Sequence, residues 1–293
     1  MTPPSSDRIA GAPISWGVCE VPGWGFQFPA ERVLDEMRSV GLTAAEFGPA
    51  GFLPDDGAER RACLARYGLT AVGGFLPVLL HDAGHDPLPE ADAYLSDALA
   101  AGGRVLVLAA GTGVDGYDDR PVLDDAQWAT LLGNLDRICA HAGERGATAV
   151  LHPHMGTMVE NADEVQRVLA GSSVQLCVDT GHLVAAGADP VAITAAAPER
   201  VGHVHLKDVD AGLAARVRAG ELSFSAAVAA GLFRVLGTGS VDIAAMIATL
   251  EGAGYQGWYV LEQDLKLEQG EPAAPGPITD VRASYEYVLK ALG

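Results

Sequence analysis

The sequence is poor in cysteine, in basic residues and in long apolar runs. Its four cysteines form no C-x-x-C pair, so it has neither a disulfide framework nor zinc-type spacing, and we expect a cytoplasmic protein. Only 19 Lys and Arg stand against 38 Asp and Glu, a formal net charge of −19. This charge argues against nucleic acid or an anionic membrane as a partner, because both are bound through basic patches. No apolar run approaches the ~18 residues of a membrane span.

The 293 residues alternate regularly between two kinds of segment. Short apolar runs predict eight strands, at 9–16, 43–48, 70–75, 104–110, 147–152, 174–179, 201–206 and 257–262. Amphipathic segments between them predict helices, near 29–40, 57–67, 90–101, 124–145, 160–170, 189–198, 240–252 and 279–291. Eight strand–helix units in a chain of this length predict an α/β fold, a closed (β/α)8 (TIM) barrel forming one domain over 1–293.

An open doubly wound sheet is the competing fold for such an alternation. That fold usually carries a G-x-G-x-x-G turn after its first strand, whereas this chain reads WGVCE at 16–20. The barrel is therefore the expected architecture. Two long connections, 76–89 and 207–233, are candidate lids over a site, because compact domains otherwise keep their loops short.

Ionisable residues recur where the predicted strands end, which is the edge of a TIM barrel that carries active sites. They are Glu46, His152, His154, Asp179, His182, His203, His205, Lys207, Glu262 and Asp264. One His, Asp, His and Glu from the fifth to eighth strands would converge there, and a bound cation would offset the cost of desolvating them. Side-chain alternation favours His205 over His203, since the residue nearer the strand end reaches the mouth more easily. It does not choose between His152 and His154.

Two imidazoles and two carboxylates form a mixed nitrogen and oxygen ligand set. Such a set suits a divalent transition metal better than Mg²⁺ or Ca²⁺, and we expect Mn²⁺ or Co²⁺, with Zn²⁺ or Fe²⁺ as alternatives. Four protein ligands leave room for a substrate that carries a carbonyl and a hydroxyl. The cation would polarise the carbonyl and stabilise an enolate, which is the chemistry of proton abstraction beside a ketone.

Five segments that surround these residues share a pattern with known proteins. They read HPHMGTMVEN (152–161), VDTGHLVAAGADP (178–190), RVGHVHLKDV (200–209), LSFSAAVAAGLFRVLGTGSVD (222–242) and GYQGWYVLEQD (254–264). The set resembles the xylose isomerase-like superfamily of TIM-barrel sugar isomerases and epimerases, and within it the inosose dehydratases. The resemblance implies a homo-oligomer and metal ligation by His152, Asp179, His205 and Glu262. It also implies that His182 contacts substrate hydroxyls and that Lys207 lies beside the substrate.

The activity implied by this resemblance is a metal-dependent dehydration of a small keto-polyol, 2-keto-myo-inositol (inosose). We expect loss of the proton beside the ketone, a metal-stabilised enolate, and departure of the β-hydroxyl with help from an acid. The candidate bases are Glu46, His154 and Lys207, the last because a nearby cation lowers the pKa of a lysine. The expected substrate contacts are Trp16, His182 and Asp264, with Trp16 as a wall against the apolar face of the ring.

The alternative function is a metal-dependent isomerase or epimerase acting on a ketose or keto-inositol. Epimerases of the superfamily usually carry a Glu at the position of His152, and their two metal-bound carboxylates move a proton between the faces of the substrate. A dehydratase needs one base and one acid, so the histidine favours dehydration. A non-catalytic sugar-binding barrel would have degraded ligands, whereas all four are chemically intact here.

Overall fold

The computed structural model describes residues 5–114 and 120–293, and the other positions of the predicted 1–293 barrel lie outside these ranges. Nine strand segments form one parallel sheet. They are β1 (Ile9–Gly11), β2 (Ala44–Ala45), β3 (Thr70–Ala71), β4 (Gly73–Leu79), β5 (Val105–Gly111), β6 (Thr148–Leu151), β7 (Gln175–Asp179), β8 (Val201–Leu206) and β11 (Tyr259–Leu261). The strands are hydrogen-bonded in the order β3-β2-β1-β11-β8-β7-β6-β5-β4.

The sheet closes on itself at the bend between β3 and β4. The Val72 N–H donates to the Ala45 carbonyl at 3.0 Å, and the Val72 carbonyl accepts from the Val105 N–H at 3.1 Å. One extended segment therefore pairs with β2 through its first half and with β5 through its second half. The nine segments make eight barrel strands, so the predicted TIM barrel is confirmed.

Gly73 makes this closure possible. Its φ of +149° is a conformation that L side chains rarely adopt, and a Cβ built there would lie 1.8 Å from the Val105 carbonyl oxygen. Only glycine brings the two backbones close enough for the strand to change partners.

Eleven helices are present in the described ranges, most of them packed around the sheet. They are α1 (Ala30–Val40), α2 (Gly57–Arg66), α3 (Leu88–Ala101), α4 (Asp125–Glu144), α5 (Ala162–Gly171), α6 (Thr180–Ala185), α7 (Pro190–Ala196), α8 (Ala211–Arg218), α9 (Phe224–Ala229), α10 (Ile243–Gly252) and α11 (Ile278–Leu292). Asp124 and Asn161 begin α4 and α5 with capping boxes, which satisfy backbone donors at the helix starts. Among these helices none is both long and apolar enough to cross a membrane.

The strands are apolar because the barrel covers both of their faces. Leu106 and Leu108 of β5 are fully buried in the main core, and Val107 between them is fully buried in a smaller cluster inside the barrel. Burial of each such side chain stabilises the fold by roughly 1.5–3 kcal/mol. The apolar runs that predicted the strands are the direct consequence of this two-sided burial.

The two connections that we expected to act as lids contain regular structure. In the first, β4 extends through Leu79 and α3 begins at Leu88, so only 80–87 is irregular. The second contains α8, α9 and a two-stranded antiparallel ribbon of β9 (Asp208–Val209) and β10 (Phe233–Arg234). The buried Asp208 carboxylate ties this ribbon down by accepting the backbone N–H groups of Gly237 and Gly239 at 2.9 and 2.8 Å. The second connection is therefore a folded segment with its own helices and ribbon.

The closure at Gly73 leads to a stability prediction. Gly73→Ala should lower the free energy of unfolding by about 3 kcal/mol or more, because the new Cβ collides with backbone and the φ is strained. Gly133→Ala is the matched control: this exposed glycine lies inside α4 with open space around it, and alanine there should stabilise by about 1 kcal/mol. Urea unfolding of both variants measures the difference. A Gly73→Ala protein as stable as the wild type would contradict this account of barrel closure.

Candidate metal centre and active site

A cavity of about 490 Å³ opens at the carboxyl ends of the barrel strands. Most of the ionisable residues predicted from the strand ends border it, namely Glu46, His152, His154, His182, Glu262 and Asp264. Three others, Asp179, His205 and Lys207, are almost completely buried beside it. The sequence therefore located the mouth of the barrel correctly.

The four predicted metal ligands come from neighbouring strands. His152 follows β6, Asp179 ends β7, His205 lies in β8 opposite Asp179, and Glu262 follows β11. The His152 Nε2 lies 3.1 Å from the Asp179 Oδ2, and the His205 Nδ1 lies 3.6 Å from the same oxygen. The His205 Nδ1 is also in contact with the Glu262 Oε2. The four side chains thus converge around Asp179 and His205.

The donor atoms in this cluster fit a cation. The buried His205 Nδ1 and Glu262 Oε2 face each other, yet neither makes a hydrogen bond within the part of the chain that the structure describes. One ligand atom each from Asp179, His205 and Glu262 lie within 4.8 Å of one another, as do those of His152, Asp179 and His182. Nitrogen and carboxylate donors at this spacing are typical of a divalent transition-metal site. Ligation by these residues stays a prediction.

Lys207 provides positive charge within this cluster. Its fully buried Nζ lies 2.6 Å from the Asp179 Oδ2 and 3.2 Å from both the Glu262 Oε1 and the Asp264 Oδ1. Burial opposes the ammonium form, but Asp179, Asp264 and Glu262 hold the pKa of Lys207 well above its usual value. The expectation that Lys207 acts as a base with a lowered pKa disagrees with this environment, because three carboxylates stabilise the protonated amine.

Glu46 contacts two histidines across the barrel. Its Oε1 accepts hydrogen bonds from the Nε2 atoms of His203 and His205, at 2.8 and 3.0 Å. Burial opposes ionisation of this carboxyl, yet the two imidazoles hold its pKa well below the usual range. His203 therefore pairs with Glu46 on the far side of His205, and His205 is the histidine of β8 that reaches Asp179, as side-chain alternation predicted.

The rings of His154 and His182 lie against each other on the cavity wall, with their centroids 3.7 Å apart and their planes tilted by 36°. Burial lowers the pKa of His154 to about 3 and that of His182 well below its usual value, and mutual repulsion adds to the shift of His182. Asp264 lies next to them, with its Oδ2 3.5 Å from the His182 Nε2. Burial raises the pKa of Asp264 to about 7, although Lys207 opposes the change.

Trp16 does not fit its expected role as a wall of the pocket. It is fully buried in the core, where its Nε1 donates to the Glu36 Oε2 of α1 at 2.7 Å, and it is not among the described residues that border the cavity. Trp24 borders the cavity instead, and its Nε1 donates to the Leu265 carbonyl at 3.0 Å. The available signal was its position in the Gly- and Pro-rich stretch VPGWGFQFP (21–29), for which the sequence predicts neither a helix nor a strand.

The charge balance around Lys207 leads to a second stability prediction. Lys207→Met should lower the free energy of unfolding of the metal-free protein by about 3–5 kcal/mol, because it leaves buried carboxylates without their partner. Lys290→Met on the exposed face of α11 is the matched control and should change it by less than about 0.5 kcal/mol. Urea unfolding in the presence of a chelator compares the two. Equal stabilities would mean that the carboxylates do not depend on Lys207.

Comparison with known proteins supports the resemblance seen in the sequence. Residues 34–282 match the family model described as the xylose isomerase-like TIM barrel. The inosose dehydratase of Geobacillus thermodenitrificans is 32% identical over 295 residues, covering 97% of this chain and 94% of that protein. The rhizopine catabolism protein MocC of Rhizobium meliloti is 34% identical over 276 residues, covering 91% of this chain and 84% of that protein.

Solved structures agree on the architecture. The zinc-bound IolI protein aligns with a TM-score of 0.71 at 12% identity, covering 97% of this chain and 98% of that one. At this identity the likeness shows the fold alone. The family model covers most of the chain, and both sequence relatives exceed 30% identity across most of their length. The chain therefore belongs to the xylose isomerase-like TIM-barrel family.

Proposed function

We propose that this protein is a cytoplasmic enzyme that removes water from a keto-polyol, with 2-keto-myo-inositol (inosose) as the first substrate to test. The observation that carries the proposal is the cluster of buried Asp179, His205 and Lys207 with the partly exposed Glu262 at the mouth of the barrel. It lies in a chain that is about a third identical to proteins named inosose dehydratase.

The residues that would hold a divalent cation, Mn²⁺ or Co²⁺ first, are His152, Asp179, His205 and Glu262. Such a cation supplies Lewis-acid polarisation of a ketone oxygen, which makes the neighbouring C–H bond more acidic. The chain's own side chains then bind the substrate and move its protons. Trp24 borders the cavity and offers an apolar surface to the substrate ring.

His154 is the base that we assign to the proton beside the ketone, because burial lowers its pKa to about 3 and so keeps the ring neutral at pH 7, the form that can take a proton. It borders the cavity, and its Nδ1–H donates to the Met155 carbonyl at 2.7 Å, which leaves the lone pair of the neutral ring on Nε2. The C–H electron pair forms the new C=C bond as Nε2 takes the proton. A single base on one side of the substrate is sufficient for dehydration.

Asp264 and Lys207 together are the acid that we assign to the departing hydroxyl. Asp264 reaches the cavity, and the Lys207 Nζ lies 3.2 Å behind its Oδ1. Asp264 would give a proton to the β-hydroxyl as the C–O bond breaks, so that water leaves, and Lys207 would stabilise the carboxylate that remains. The overall change is loss of one water, with no oxidant or reductant.

The proposal predicts metal-dependent dehydration in D₂O. The Co²⁺- or Mn²⁺-loaded protein should convert 2-keto-myo-inositol to the dehydrated diketone. The conversion is measured by ¹H NMR after the reaction is quenched with chelator. Chelation beforehand should abolish the reaction, and Glu262→Gln should slow it about 100-fold or more because several kcal/mol of charge stabilisation is lost. His85→Ala, an exposed histidine paired with Glu90, is the control and should retain the wild-type rate.

Two results of this experiment would contradict the proposed dehydration of 2-keto-myo-inositol. Deuterium entering beside the ketone without loss of water would identify an isomerase or epimerase that forms the enolate and returns the proton. An unchanged substrate in the metal-loaded sample would exclude inosose as the substrate.

The role of His154 gives a separate prediction. His154→Gln should lower the rate of α-proton exchange by about 10²- to 10⁴-fold, as expected for loss of a general base. The Mn²⁺ dissociation constant, measured by calorimetry, should stay within about 2-fold of the wild type, whereas His152→Gln should weaken it strongly. The reverse pattern of affinities would make His154 the ligand that follows β6 and would overturn its role as base.

A further inference from the structure

The two ring nitrogens of His205 face carboxylates on opposite sides of the ring. Its Nδ1 faces the Asp179 and Glu262 carboxylates, and its Nε2 lies 3.0 Å from the Glu46 Oε1 on the opposite side of the ring. His205 is 1% exposed, so its ring nitrogens are shielded from bulk water. When the ring is neutral and binds a cation, the contact with Glu46 therefore decides which nitrogen carries the hydrogen.

We propose that Glu46 is a positioning residue for the metal centre: by accepting the Nε2–H of His205, it leaves the Nδ1 lone pair facing Asp179 and Glu262. Histidines that bind metals generally donate their other ring N–H to a carboxylate or carbonyl, which fixes the tautomer and the ring plane. The inference rests on the metal site of the proposed function and goes beyond it, because Glu46 would act through His205.

Glu46 is itself held rigidly enough to orient another side chain. Its backbone N–H donates to the Gly11 carbonyl at 3.0 Å, which sets the end of β2 against β1. Its Oε1 also accepts the His203 Nε2–H at 2.8 Å, so that two imidazoles of β8 converge on one oxygen. His203 and His205 lie two residues apart and share a face of that strand, and this spacing places both donors toward Glu46. His203 thus anchors Glu46 while Glu46 orients His205.

Two other roles compete for the same residues. Glu46 borders the cavity, and both histidines bond its Oε1, so it could act as the base through Oε2. Loss of α-proton exchange at unchanged Mn²⁺ affinity would identify that role. Ligand atoms of Glu46, His203 and His205 also lie within 4.8 Å of one another, which is the spacing of a second cation site. Donor–acceptor distances of 2.8 and 3.0 Å are those of ordinary N–H···O hydrogen bonds and favour the positioning role.

The test is the affinity for Mn²⁺ alone, measured by calorimetry on the full chain without substrate. Glu46→Ala should weaken binding about 10- to 100-fold, and Glu46→Gln should weaken it less because the amide oxygen still accepts an N–H. Glu36→Gln is the matched control, since this carboxylate accepts from Trp16 and Arg32 away from the site, and it should bind as the wild type does. If Glu46→Ala fails to fold, the near-isosteric Glu46→Gln carries the comparison.

The tautomer gives a readout that a merely structural role would not change. In ¹⁵N NMR of the Zn²⁺-loaded wild type, His205 should show one tautomer, with a protonated Nε2 and a metal-bound Nδ1. In Glu46→Ala, His205 should no longer be held in that one tautomer. An unchanged Mn²⁺ dissociation constant, with or without loss of α-proton exchange, would overturn the positioning role. Binding of two Mn²⁺ ions per wild-type chain would also overturn the positioning role. A wild-type protein that binds neither metal would contradict the proposed function instead. The hydrogen-bonded Nε2–H of His205 in the metal-free protein, and its loss in Glu46→Ala, would still test the contact.

Discussion

Carboxylates buried at the mouth of the barrel set the main constraint on this protein. Asp179 is completely buried, and Glu46 and Asp264 are nearly so, in a region where an unpaired charge is costly. Each is met by a nitrogen donor: Lys207 reaches Asp179 and Asp264, and two imidazoles meet at Glu46. The strands around the mouth must hold these partners within hydrogen-bond distance, so the charge cluster and the barrel depend on each other.

The closed sheet explains how residues so far apart in the chain meet. Parallel strands end at the same edge, and the order β6-β7-β8-β11 places the four predicted ligands on adjacent strands. Closure at the bend between β3 and β4 brings Glu46, which directly follows β2, around to face His203 and His205 of β8. An open sheet would leave Glu46 on a distant edge. The contact that orients His205 is therefore a consequence of barrel closure.

The match between predicted and observed elements follows the strength of the local pattern. The apolar run at 104–110 agrees with β5 to within a residue at each end, because burial on both faces leaves a continuous apolar signal. The run at 9–16 was too long: β1 ends at Gly11 and Pro13–Trp16 forms a 3-10 helix. The helices α6, α8 and α9 were missed, since they are short and lie inside connections whose composition resembles a loop.

The sequence by itself determined the eight strand–helix units, the edge of the sheet that carries the site, and the residue types gathered there. These follow from the spacing of apolar and ionisable residues along each strand, which is a local property. Only the tertiary structure decided the partner of each side chain: Lys207 among three carboxylates, Glu46 beside His205, and Trp24 rather than Trp16 at the cavity. Those pairings depend on the register and curvature of strands distant in sequence, and local spacing carries no information about them.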